Sequence, residues 1–322
     1  MFRSIEPTLQ ITFLGTSSGV PTRARNVSAV ALRLPQRAEV WLFDCGEATQ
    51  HQLQRTPLRI SQISRIFITH LHGDHLFGLL GLIATCGMAG EAQEINIYGP
   101  EGLAQYVRAC AELSRTTLSA SLKIHTVEPG LIYRDDEYSV TCQPLKHRIT
   151  SFGYRVTESD RPGRFDVERA LALGVPSGPL YGRLKRGESV ELADGRVIHG
   201  RELNAAPVAG RVVAYCTDTM YCRSAVSLAE RADLLIHEAT FADEDEPLAV
   251  QSMHSTATVA ARVASEAQVR RLLLTHFSPR YTQDSPVTID NLLAQARAVF
   301  PQTDTARDFL TYEVPRREQD AG

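Results

Sequence analysis

Short apolar runs punctuate this chain, and most of them stop at a polar residue with chemistry to offer. Residues 9–14 alternate and break at Gly15-Thr16-Ser17-Ser18-Gly19. Residues 40–43 end at Asp44-Cys45-Gly46, residues 65–69 at His70, and residues 212–216 just before Asp218. Residues 234–236 end at His237-Glu238, and residues 272–275 at His276. Runs this short, apolar at successive positions, predict strands covered on both faces. Broader periodicity predicts helices over 76–88, 102–113, 256–267 and 289–299. In the third of these, Val259, Val263, Ala260 and Ala264 share a face, and Ser255 or Thr256 is the N-cap. A ladder of short strands over 122–156 completes a mixed α/β layering.

Two features stand outside this rhythm. Arg65-Ile66-Phe67-Ile68-Thr69-His70 is echoed by Arg271-Leu272-Leu273-Leu274-Thr275-His276. Facing half-units of this kind would bring both histidines to one sheet edge. Residues 157–200 are rich in glycine, proline and charge, and carry Gly178-Pro179. Structureless loops of that length are uncommon inside a compact domain. The segment reads as an arm inserted into one catalytic domain spanning 1–322.

Composition narrows the function. The chain has 322 residues, 43% of them apolar, with 37 acidic and 34 basic side chains and a net charge of −3. This excludes general disorder and a globally basic nucleic-acid binder. The charge is uneven, however. Residues 161–187 hold Arg161, Arg164, Arg169, Arg183, Lys185 and Arg186 against Asp166 and Glu168. Only Lys123, Lys146 and Lys185 are lysines, so most cations are arginines, whose planar fork suits phosphate oxygens. The six cysteines include no Cys-x-x-Cys pair and read as small buried residues. No apolar run approaches the ~20 residues of a membrane helix. Met1-Phe2-Arg3-Ser4-Ile5-Glu6 lacks the pattern of a signal peptide, so a cytoplasmic protein with no membrane contact is expected.

The chemistry concentrates in His70-Leu71-His72-Gly73-Asp74-His75, four metal-capable side chains within six residues after a strand. Imidazole and carboxylate without thiolate suit zinc and related divalent metals. His147, Asp218 and His276 each follow a strand and can complete the set. His51, His125 and His199 have no such context. Asp44, at a strand end, can orient a ligand histidine. His237 reads as a support rather than a ligand.

These residues resemble the metallo-β-lactamase superfamily, with its His-x-His-x-Asp-His signature, and within it the ribonuclease Z branch. The resemblance spans nearly the whole chain. Phe43-Asp44-Cys45-Gly46-Glu47-Ala48-Thr49-Gln50 matches a family segment, with Ala48 where glycine is common. His237-Glu238-Ala239-Thr240, His254-Ser255-Thr256 and Thr275-His276-Phe277-Ser278-Pro279-Arg280-Tyr281 match three further motifs. Pro21-Thr22-Arg23-Ala24-Arg25-Asn26 matches a fourth, with Arg23 where lysine is usual.

What the resemblance implies is an αβ/βα metallo-β-lactamase sandwich with an inserted flexible arm and two Zn2+ per subunit, other divalent metals being able to substitute. His70, His72 and His147 would hold the first ion, and Asp74, His75 and His276 the second, with Asp218 bridging. The implied activity is cleavage of the 3′ trailer from precursor tRNA by a homodimer. The products would be a tRNA 3′-hydroxyl and a trailer 5′-phosphate. Asp74 would take the proton of the attacking water. Glu238 would orient His254, which would protonate the leaving oxygen. The arm, with Gly178 and Pro179 at its tip and Lys185 and Arg186 behind, would grip tRNA by shape. Arg23, Arg25 and Asn26 either read unpaired bases or form a solvated hairpin. Backbone N–H groups at Ser255 and Thr256 can receive a phosphate, begin a helix by plain N-capping, or do both. The competing reading is a metallo-hydrolase of small phosphodiesters or other esters, which would have no use for a cationic arm. A catalytically dead RNA-binding module is a third, against which the complete ligand set argues.

Overall fold

The computed structural model describes residues 8–34, 36–88, 94–119 and 121–317, so Met1–Glu6 lies outside the described residues. The first sheet is built from β1 (Leu9–Gly15), β2 (Ala29–Leu34), β3 (Glu39–Phe43), β4 (Ile63–Phe67), β5 (Ile95–Gly99) and β6 (Leu122–Thr126), side by side in that order. The second begins with β7 (Gly130–Arg134), β8 (Tyr138–Leu145) and β9 (Ser151–Glu158). A separate hairpin, β10 (Ser189–Glu191) and β11 (Val197–His199), interrupts it. It resumes with β12 (Val212–Cys216), β13 (Leu234–Glu238), β14 (Leu272–Thr275) and β15 (Thr303–Thr305). The last strand, β16 (Thr311–Val314), returns to pair antiparallel with β1. Strands β3 to β6 run parallel to one another, and so do β12 to β15.

Alternation along the strands sorts side chains into layers. Val40 and Leu42 of β3 face the helix side of the first sheet, in a cluster with Leu79, Leu82, Ile83 and Val107. Trp41 and Phe43 point the other way, into a seam between the sheets. There Phe43 meets Tyr215 of β12 at 5.5 Å, and Phe67 meets Tyr154 of β9 at 5.4 Å. On the far side, Ala214, Leu235 and Leu274 pack against Ala257, Ala260, Ala264 and Leu292. The order is helix, sheet, sheet, helix: the αβ/βα sandwich expected. The six cysteines are free, with Cys45, Cys142 and Cys216 buried. Among the described residues no helix is long and apolar enough to cross a membrane.

One expected helix divides. The run 76–88 forms two helices, Gly73–Leu76 and Leu79–Met88. The break falls at Gly78, whose N–H bonds to the Cys45 carbonyl at 2.9 Å. A Cβ at Gly78 would lie 2.0 Å from the Gly46 carbonyl, so this crossing is possible only for glycine.

A second compact unit is formed by Asp136–Tyr138, Thr157–Arg211 and, among the described residues, 316–317. It extends past the 157–200 segment picked out by composition. It has its own apolar core of Phe165, Ala170, Val175, Leu184, Val190, Leu192, Ile198 and Leu203. Its hairpin turns at Asp194-Gly195, where Gly195 has φ +82°. Where the chain enters and leaves, buried Glu158 accepts from Arg211 Nε at 2.7 Å and from Arg161 and Arg316 at 2.9 and 2.7 Å. Burial pushes the Glu158 carboxyl up, but the Arg211 hydrogen bond and charge outweigh it and hold it below the usual range.

Ala48 adopts a left-handed conformation, φ 61° and ψ 11°, immediately before the helix Thr49–Leu53. Glycine occupies this region at no steric cost, whereas a Cβ there is strained. Ala48→Gly is expected to stabilise the chain by roughly 0.5–1 kcal/mol, the strain relieved less the entropy returned to the unfolded chain. Reversible denaturation of the two proteins checks it, and a lower midpoint for the glycine variant would contradict it.

Candidate metal centre

Strand ends from both sheets converge on one edge. His70 and His72 follow β4, and Asp74 and His75 begin the helix Gly73–Leu76. His147 follows β8, Asp218 follows β12, Glu238 closes β13, and His276 follows β14. The echo between 65–70 and 271–276 is therefore structural: β4 and β14, one in each sheet, both end at this site. Asp44, Asp218 and His276 all have positive φ, 59°, 52° and 59°. Each is a strand end bent sharply enough to throw its side chain into the centre.

Two donor groups result. In the first, His70 Nε2 and His147 Nε2 lie 3.0 and 3.3 Å from His72 Nδ1. In the second, His75 Nε2 and His276 Nε2 are 3.1 Å apart and each 3.4 Å from Asp74 Oδ2. Asp218 joins them with one oxygen each way. Its Oδ2 is 3.4 Å from His70 Nε2, and its Oδ1 is 3.2 Å from His75 Nε2 and 3.1 Å from His276 Nε2.

The outer ring nitrogens are already committed, which fixes what the inner ones present. His147 Nδ1 donates to the Met253 carbonyl at 3.0 Å. His75 Nδ1 donates to Asp44 Oδ2 at 2.8 Å. Thr69 spends its hydroxyl proton on Asp44, so it accepts from His70 Nδ1 at 2.9 Å. Thr240 spends its own on Glu238, so it accepts from His276 Nδ1 at 2.9 Å. In their neutral forms all four rings aim an Nε2 lone pair inward, the form that binds a metal. Burial opposes charge on His75, but Asp218, Asp74 and Asp44 outweigh it and raise its pKa well above the ordinary value, so an ion there displaces a proton. Burial also lowers His147 to about 4 and lowers His72, keeping both neutral. The donor chemistry fits divalent ions of the zinc type in two adjacent places.

His254 borders this centre. Its Nδ1 is 2.9 Å from Glu238 Oε1, and its Nε2 is 3.9 Å from Asp218 Oδ2. Glu238 is fully buried and also accepts from Thr219 N and Thr240 N at 2.8 and 3.1 Å. Burial opposes charge on both partners, but each charge holds the other: His254 is raised to about 9 and Glu238 lowered to about 2. The atoms of Asp218, His254 and His276 are also close enough to share an ion. His237 faces away, its Nδ1 bonded to the Glu238 carbonyl at 2.7 Å.

Comparison with known proteins follows the same line. Residues 9–157 match the family model of the anti-Pycsar protein Apyc1, and residues 198–277 match a beta-lactamase superfamily domain. The ribonuclease Z of Cyanothece sp. strain PCC 7425 is 65% identical over 308 residues, 96% of this chain and 96% of that one. The ribonuclease Z of Microcystis aeruginosa strain NIES-843 is 62% identical, covering 97% and 98%. This chain belongs to the ribonuclease Z family. The solved structure of human tRNase Z, short form, superposes with a TM-score of 0.68 at 31% identity, over 95% of this chain and 99% of that one. As a ribonuclease Z family member, the chain is a hydrolytic nuclease on a metallo-β-lactamase fold with a metal-binding cluster.

The remaining predicted contact residues differ in how far the fold itself engages them. Arg25 is half-buried. It donates to Thr16 Oγ1 at 2.7 Å and to the Ala306 carbonyl at 2.9 Å, with its guanidinium over the Phe277 ring. Burial lowers its pKa. Asn26 donates to the Glu47 carbonyl at 2.8 Å. These two side chains anchor their loop, and Arg23 is the one left exposed. Ser255 is buried and donates to the Thr219 carbonyl, while Thr256 caps the helix Ala257–Glu266 by accepting from Val259 N. Thr256 is thus the N-cap, a role that leaves the backbone N–H groups at Ser255 and Thr256 compatible with a phosphate. In the arm, Gly178 and Pro179 are exposed, Arg186 shares Glu188 with Arg183, and Lys185 lies 5.8 Å over the Phe165 ring. His51 is exposed, His125 bonds Asn96, and His199 bonds Ser189. Thr69 and Thr240 carry no signal of their own in the sequence beyond standing beside or within a histidine motif.

Asp44 also accepts from Thr69 N at 2.8 Å and from Tyr215 Oη at 3.1 Å, so four donors converge on it. Asp44→Ala is expected to weaken the group holding His75 most, by about 10–100-fold in zinc affinity. Competition titration against a chromophoric chelator checks this. Equal, unchanged affinity at both places would refute the orienting role.

Proposed function

We propose that this chain is a zinc-dependent endoribonuclease that removes the 3′ trailer from precursor tRNA, leaving a 3′-hydroxyl on the tRNA and a 5′-phosphate on the trailer. The observation that supports this most is the split carboxylate of Asp218, one oxygen toward each donor group, which suits paired ions on one phosphodiester. Zinc held by His70, His72 and His147, and by Asp74, His75 and His276 with Asp218 between, would supply positive charge to the scissile phosphate and acidify the attacking water.

The chain's own groups do the rest. Asp74 turns Oδ2 toward His75 and His276, and its second oxygen takes the proton of the attacking water. Gly19 N steadies this carboxylate with a 2.7 Å hydrogen bond. Glu238 accepts from Nδ1 of His254 and keeps the ring cationic, so Nε2 carries a second proton, which goes to the leaving 3′-oxygen. The arm offers cations at Arg164 and Arg169, which are exposed and make no ion pair among the described residues, and at Lys185. In this reading the arm grips the tRNA backbone. The chain works in the cytoplasm as a homodimer, the arm of one copy serving the site of the other.

Trailer-bearing tRNA incubated with the zinc-loaded protein is expected to give a tRNA ending in a 3′-hydroxyl; a 2′,3′-cyclic phosphate would refute the chemistry. Arg161 and Val208 bridge by mutual backbone hydrogen bonds of 3.0 and 2.9 Å, so residues 162–207 can be replaced by a two-glycine turn. That variant is expected to lose tRNA cleavage yet still hydrolyse a small phosphodiester. Retained tRNA cleavage would refute the gripping role of the arm, whereas an intact protein that hydrolyses the small phosphodiester but not the tRNA would favour the small-ester hydrolase. His254→Ala is expected to lower turnover by about 10²–10⁴-fold, with zinc content and tRNA affinity unchanged. Undiminished turnover would remove His254 from the mechanism.

A further inference from the structure

Phe77 is the only exposed phenylalanine among the described residues, with 62% of its surface open, and it stands beside the metal-binding motif. Its position follows from the helix Gly73–Leu76. Residues four apart share a helix face, and Phe77 N bonds to the Gly73 carbonyl at 2.9 Å. The ring lies over Gly73 so closely that a Cβ there would be 2.3 Å from it. Glycine at 73 therefore lets the ring lie down between His72 and Asp74 with its other face open. Across from it, Val20 is 55% exposed on the loop after Gly19.

Together these residues bound a recess of about 440 Å³ whose lining also includes Pro21, Glu47, His72 and Asp74. His72 belongs to one donor group and Asp74 to the other. A molecule in the recess is therefore alongside the reacting phosphate. The Glu47 carboxylate repels a phosphate there and accepts from an N–H. An apolar ring face, an apolar wall and one acceptor at the rim suit the flat face and amino edge of a nucleobase.

We infer that Phe77 is a stacking platform for the base of a nucleotide adjoining the scissile phosphate, and that it positions the phosphodiester at the metal centre. This rests on the proposed RNA-cleaving function. An exposed aromatic ring contributes through stacking whatever the base, so the platform sets position rather than sequence.

The test compares Phe77→Ala, Phe77→Leu and Phe77→Tyr on trailer-bearing tRNA, and on the same RNA made abasic on either side of the cut. Alanine and leucine are expected to lower kcat/KM about 5- to 150-fold on the intact RNA, with tyrosine restoring it. One of the two abasic RNAs is expected to be cut equally slowly by the wild type and Phe77→Ala. Zinc content equal to that of the wild type confirms that the variants fold. Full activity of Phe77→Leu, or the same alanine penalty on both abasic RNAs, overturns the platform. A change of oligomeric state with no dependence on the base overturns it too, assigning the ring to a contact between copies. If the wild type cuts none of these RNAs, the function beneath the inference fails. If it cuts them and Phe77→Ala matches it, only the platform fails.

Discussion

Everything in this fold is arranged around one buried carboxylate. Asp218 is 2% exposed, yet both of its oxygens face imidazole nitrogens at 3.1 to 3.4 Å. A charge so placed is costly unless compensated by partners of good geometry. Those partners come from the ends of β4 and β14, one in each sheet, and from one short helix. They can meet only because the strands of each half run parallel there and the two sheets pack face to face through Phe43, Phe67, Tyr154 and Tyr215. The aromatic seam fixes the distance between the sheets, and that distance fixes the distance between the donor groups. Packing in the core and geometry at the site are one constraint.

The backbone shows where that constraint is most severe. Asp44, Asp218 and His276 hold positive φ, a conformation that costs a residue with a side chain of order 1–3 kcal/mol. Glycine would relieve the strain and delete the donor. Ala48 has the same backbone conformation but offers no donor. The same local strain is thus tied to chemistry at three positions and to nothing but the turn at the fourth.

Much of this was legible in the sequence because the strands are covered on both faces. Continuous apolar runs ending at His70, Asp218 and His276 are the direct signature of such strands, and few residue types bind metals. What the pattern could not show depends on burial brought by distant parts of the chain. Arg23 and Arg25 are two residues apart and equally basic. Arg25 meets Thr16 and Ala306 and becomes an anchor, while Arg23 stays exposed. Ser255 and Thr256 look available in sequence, but their hydroxyls are used by Thr219 and Val259. The hairpin β10–β11 had a readable signal, Asp194-Gly195 between alternating residues, hidden within a segment whose glycine and proline content suggests a loop. The arm's own core shows that high glycine, proline and charge content does not by itself mean absence of packing.

The uneven charge follows from the same centre. Asp44, Asp74, Asp218 and Glu238 put four carboxylates where an anionic phosphodiester must react, and all but Asp74 are almost completely buried. Adding arginines around that site would neutralise the donors that hold the metal. Positive charge for the reaction itself has to come from ions of high charge and small size, which the inward lone pairs are built to accept. Positive charge for gripping a long anionic substrate therefore belongs elsewhere, on side chains that do not compete for those carboxylates. Arg164, Arg169 and Lys185 are of that kind, and even in the arm Glu188 already takes up Arg183 and Arg186. A net charge of −3 is thus consistent with a nuclease whose excess positive charge is local.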